Sequence, residues 1–127
     1  MLTAEQIADA KSRTPYSHRA DVLHEHDDCI RMAYEWLDAQ NTIATPNKKY
    51  RPLKHIIEKW AGRYVSQSDV EVAAFMHPRI SGKYPNFNIS ARLVLPSDRR
   101  LEGVGEAMTQ GYRERLEASV YSTREDA

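Results

Sequence analysis

Cysteine is almost missing from this sequence. Cys29 stands alone among 127 residues, so no disulfide can form within the chain and a packed core must stabilise it. A lone thiol inside an amphipathic pattern is expected to be buried. Long apolar runs are missing too, the longest being Val72 to Met76, far too short to span a bilayer. The opening residues show no basic segment followed by an apolar one, so no secretory leader is expected, and the reading is cytoplasmic. There are no repeats, linkers or low-complexity tracts. With 41% hydrophobic and 28% charged residues, the expectation is one domain over 1–127, frayed at 122–127.

Catalytic patterns are equally scarce. No nucleophile–base pair stands out, no cofactor motif is present, and the expectation is a protein that is not an enzyme and has neither cofactor nor metal. His24 and Asp28 have metal-ligand spacing if both lie on one helix, but no second pair completes a set of three or four ligands. Glu58, Asp69 and Glu71 with Lys59 or Lys83 could surround a magnesium ion, yet any charged domain offers such sets.

What is present is an uneven distribution of charge. The net charge is zero, but residues 1–44 carry −4, residues 45–100 carry +7 and residues 101–127 carry −3. Such a layout can focus positive potential on one surface of a neutral molecule. It also allows the acidic ends to fold back and neutralise the middle.

The hydrophobic spacing predicts an α+β fold. Thr3 and Gln6 have capping-box spacing and should open a short helix with Ile7 and Ala10 inward, ended by Thr14-Pro15. A longer helix is expected from Ser17 to about Gln40, with Val22, Cys29, Ala33, Trp36 and Leu37 on its apolar stripe and Leu23, Ile30 and Met32 widening it. Leu53, Ile56, Ile57, Trp60 and Ala61 mark a third helix, begun near Pro52 and stopped by Gly62. Alternation over Val70–His77 and Asn86–Leu95 predicts an antiparallel β-hairpin with a long basic tip at 78–86. The alternative is all-α, with Ser68 and Glu71 as a capping box and a further helix from Asn88. A final helix is expected after Ser97, with Leu101, Val104, Met108, Tyr112 and Leu116 inward, although Gly103, Gly105 and Gly111 weaken it.

Three helices, a hairpin and a helix resemble the order of a winged helix, whose third helix enters the major groove. Both basic places in this chain coincide with the contact elements of that order. Lys48, Lys49, Arg51, Lys54, Lys59 and Arg63 would meet phosphates from the third helix and its flanks, and Arg79 and Lys83 from the tip. Asn47, Tyr50, His55 and Tyr84 would add polar or stacking contacts, and aromatics among cations also suit single strands. The leading expectation is therefore a DNA-binding protein, a small regulator or accessory factor of a mobile element, acting as a homodimer. Its rival is a protein-interaction module (inhibitor, adaptor or immunity-type protein) that docks on an oppositely charged partner.

Overall fold

A computed structural model describes residues 1–49 and 51–126; the contact expected of Tyr50 lies outside the described residues. Helix α1, Ala4–Arg13, begins at the expected capping box: Thr3 Oγ1 accepts from the Gln6 amide and Gln6 Oε1 accepts from the Thr3 amide. Ile7 and Ala10 are buried on its inner face.

Helix α2 is shorter than the periodicity implies. It spans Asp27–Asp38, preceded by a 3-10 turn at Arg19–Asp21 and an extended stretch. Asp27 and Asp28 start it because negative charge suits a helix N-terminus. The residues before them are drawn off by another element: Ser66 Oγ donates to the Leu23 carbonyl at 2.6 Å and the Leu23 amide donates to Ser68 Oγ at 3.1 Å. Val22 and Leu23 consequently face solvent, Leu23 at 56% exposure.

Helix α3, Leu53–Ala61, follows its predicted span and ends at Gly62, whose φ of 71° is left-handed. A Cβ on Gly62 would lie 2.8 Å from the Cα of Met108, so only glycine allows the C-terminal chain to approach. Hydrogen bonds from the Met108 amide to the Ala61 carbonyl and from the Gln110 amide to the Gly62 carbonyl hold that chain there.

Helix α4, Gln67–Met76, replaces the first predicted strand of the hairpin. Its capping box uses Ser66 and Asp69, two residues before the alternative expected at Ser68. Residues 68–74 are all buried. A helix covered on nearly every side needs no apolar stripe, so Val70, Val72, Ala74 and Met76 only imitate the alternation of a strand. The actual hairpin is much smaller. Strands β1, Gly82–Lys83, and β2, Asn86–Phe87, pair antiparallel within the predicted tip, joined through a cis Tyr84-Pro85 bond. Beyond it, Asn88 is buried because its side-chain amide satisfies the Ser81 amide and the Arg79 carbonyl, which breaks the alternation.

Strand β3, Val94–Leu95, pairs in parallel with β4, Thr123–Arg124. Residues 122–126, expected to fray, are tied by hydrogen bonds from the Ser122 and Glu125 amides to Leu93 and Leu95. The predicted final helix is absent. In its place stand 3-10 turns at Asp98–Leu101, Gly111–Arg115 and Ala118–Val120. Gly103 with φ 81° and Met108 with φ 63° interrupt any continuous helix. Only Leu101 and Val104 of its stripe are buried, while Met108 is exposed.

The result is a mixed α+β chain whose described residues form four α-helices and two small strand pairs. The winged-helix order is not formed, because α4 occupies the place of the hairpin's first strand. The core packs α4 along α2 and gathers Trp36, Trp60, Leu37, Ile57 and Val72, all fully buried. Each indole has a partner, Trp36 Nε1 donating to the Tyr121 hydroxyl and Trp60 Nε1 to the Pro96 carbonyl. Cys29 is buried as expected, and burial pushes its thiol up to about 12. No helix among the described residues is long and apolar enough to cross a membrane.

Candidate nucleic-acid interface

The acidic ends do fold back on the basic middle. Lys54 bonds Glu58 at 2.7 Å and lies over the Tyr64 ring, and exposed His55 also faces Glu58, at 3.5 Å. Lys59 reaches Glu117 at 3.5 Å. Arg63 is buried and paired with Glu106 at 2.9 Å and Glu25 at 3.6 Å. Arg79 meets Asp38 at 3.1 Å. Four of the eight cations expected to contact phosphate are thus engaged by carboxylates. Arg63 is clamped between two carboxylates through Nε and Nη1.

Arg51 is only partly available, since its Nη2 donates to the Ala91 carbonyl at 2.6 Å. Lys48, Lys49 and Lys83 remain exposed, with no ion pair among the described residues. Arg92, which was not singled out from the sequence, is exposed in the same way. Tyr84 is half-buried, its hydroxyl accepting from the Lys54 amide at 3.2 Å.

These leftover cations share one neighbourhood for a reason visible in the chain. Residues 39–57 and 72–97 are its two longest stretches without Asp or Glu. The structure zips them together: Ile43 and Asn47 amides donate to Asn88 and Phe87 carbonyls, Ser90 donates to Asn41, and Thr42 bridges Ile89. Asn86 Nδ2 adds a bond to the Asn47 carbonyl. Counting charge by thirds obscured this, because it mixed Glu58, Asp69 and Glu71 into the basic segment. Scanning for acid-free stretches finds both halves of the face.

No protein-family model matches the chain, and no curated protein and no solved structure matches it. The chemistry of the surface must therefore speak for itself.

Beside this face, a cleft of 180 Å³ opens between the end of α1, helix α4 and the hairpin. Lys83 and Tyr84 line it, together with Glu71 and Phe75, which had no binding role in the sequence reading. Glu71 is buried at 8% exposure, and its Oε2 accepts from the Ser17 amide at 2.8 Å.

Two of the histidines are tied into the fold by side-chain hydrogen bonds. His24 lies before α2, so it does not share a helix face with Asp28; its Nδ1 meets buried Asp69 at 2.8 Å and its Nε2 meets Tyr16 Oη at 2.9 Å. In this Tyr–His–Asp chain the Tyr16 hydroxyl also donates to the Lys11 carbonyl at 2.8 Å. Burial, then the nearby Glu71 charge, raises the Tyr16 hydroxyl above its ordinary value. His77, 3% exposed, bonds Asp38 through Nε2 at 2.8 Å and accepts from the Arg79 amide through Nδ1. No group of three or more metal-ligating side chains occurs among the described residues.

Proposed function

We propose that this protein binds nucleic acid through the face built from residues 39–57 and 72–97. The observation that carries the reading is the charge of Lys48, Lys49, Lys83 and Arg92, exposed and without an ion pair among the described residues, on two stretches of chain that carry no acid. Phosphate oxygens are the complementary ligands, and exposed lysine and arginine can meet them without breaking an internal ion pair. The contact is smaller than the eleven cations of the middle third suggest. Each neutralised phosphate contributes a slope of about −0.9 in log K against log salt for duplex and about −0.7 for single strands. Four contacts therefore give about −4 and about −3 respectively.

Fluorescence anisotropy with generic duplex and single-stranded oligonucleotides across a salt series tests this. The triple variant Lys48→Glu, Lys49→Glu, Lys83→Glu loses binding, whereas Lys59→Gln, at a position already paired with Glu117, leaves affinity and slope nearly unchanged. A flat salt response, or no binding to either form at low salt, overturns the reading.

Ile43, 40% exposed within the same face, favours a second reading in which an acidic protein docks there. In that case oligonucleotides fail to bind, and the triple variant and Ile43→Ser each weaken association with the acidic partner.

A further inference from the structure

The cleft beside the acid-free face has a definite size, wall and polarity. Its buried floor is Thr14, Glu71, Ala74 and Phe87, and its exposed rim includes Phe75 and Lys83. At 180 Å³ it is below the usual range for metabolite-sized ligands. A dry cavity of about 150 Å³ accepts one benzene ring, so this cleft has room for one six-membered aromatic ring.

The polar demand comes from Glu71. Its Oε2 is committed to the Ser17 amide, while Oε1 has no hydrogen-bond partner among the described residues. Oε1 is not sealed from solvent, so a ligand that donates a hydrogen bond replaces water there. Two features oppose a cationic ligand, which a lone carboxylate would otherwise favour. Lys83 stands at the rim, and the Arg13 guanidinium already lies 5.7 Å from the centre of the Phe75 ring. An uncharged ring that carries a donor, attached to an anionic backbone, satisfies every side of the cleft.

We propose that the cleft is a single-base pocket for an unstacked cytosine of a single-stranded nucleic acid. The 4-amino group, farthest from the sugar, donates to Glu71 Oε1 on the floor. Phe75 stacks against the ring, and Lys83 meets the adjoining phosphate, which joins the pocket to the phosphate-binding face. Uracil and thymine place a carbonyl oxygen where the amino group would be, acceptor against acceptor, and thymine adds a methyl group to a small cleft. This inference rests on the nucleic-acid reading above.

The test is anisotropy with labelled dC, dT and rC dodecamers at one low salt concentration, on the full chain. The dC strand should bind about tenfold tighter than dT, the value of one charge-assisted hydrogen bond. Glu71→Gln keeps an acceptor for the Ser17 amide but presents a donor to the base, so the preference should reverse toward dT. If that variant fails to fold, Phe75→Ala at the exposed rim should weaken dC binding about tenfold and remove the dC preference. Equal, salt-dependent binding of dC and dT overturns the pocket while leaving the phosphate face intact. A dC preference unchanged in folded Glu71→Gln also overturns it. Failure of dC, dT and rC all to bind overturns the nucleic-acid reading and the pocket with it.

Discussion

At the scale of single residues, glycine and asparagine decide more than their number suggests. Gly62 is legible as a helix stop, but the sequence does not show that Met108 comes to rest upon it. Its positive φ and the 2.8 Å approach of Met108 Cα predict that Gly62→Ala costs more than about 1 kcal/mol in urea denaturation. An ordinary helix-end glycine away from such a contact would lose less. Asn88 teaches the complementary lesson. An alternation count assigns it outward, yet its amide has three backbone partners inside, so burial is favourable.

At the scale of elements, the amphipathic ones were readable and the enclosed one was not. α1 and α3 each bury one face, and their caps and spacing identify them directly. α4 is buried nearly all round, which removes the 3.6-residue signal that would distinguish it from a strand. Its cap is the better guide. Ser66→Ala should lower stability by about 1–2 kcal/mol, because the hydroxyl caps α4 and also holds the Leu23 carbonyl. Leu23→Ser, by contrast, should fall within about 0.5 kcal/mol of wild type, as expected of an exposed loop position. In the long helix that the periodicity predicts, Leu23 would sit in the core and its loss would be severe. Thermal melts of the two variants separate these cases.

At the scale of the whole molecule, opposite charges brought together from distant segments shape both stability and the binding surface. Arg100 bonds Glu125 at 2.6 and 2.7 Å, and Glu35 and Asp38 at 2.9 Å, closing the C-terminal strand onto α2. The Arg100 hydrogen bonds hold the Glu125 carboxyl below its ordinary value despite burial. Burial would raise Asp38 and Asp28, but hydrogen bonds from His77 and Arg100, and from Arg31 and the Glu106 amide, outweigh it and lower both. Carboxylates depressed in the folded state stabilise it fully above their unfolded values, about pH 4, and the contribution is lost as pH falls through the lowered folded values. Stability should therefore decline below about pH 4, and Arg100→Gln should flatten that acid limb by releasing Asp38 and Glu125. Melting temperatures measured down the acid range check both statements.

The same long-range pairing explains how much of the candidate face could be read in advance. Sequence alone determined that positive charge gathers in the middle of a neutral chain, that Cys29 would be a buried thiol, and where α1 and α3 begin and end. Those properties depend on residue type and on neighbours three or four positions away. Which cations stay free was decided only by tertiary structure. The carboxylates that quench Arg63, Lys59 and Arg79 come from Glu25, Glu106, Glu117 and Asp38, remote in the chain and adjacent only after folding. Tertiary structure also joined the two acid-free stretches into one face and brought Lys83 and Phe87 of the hairpin to Glu71 and Phe75 of α4. A local pattern records the charge a segment carries, whereas the field at a surface depends on every charge the fold brings within a Debye length of it.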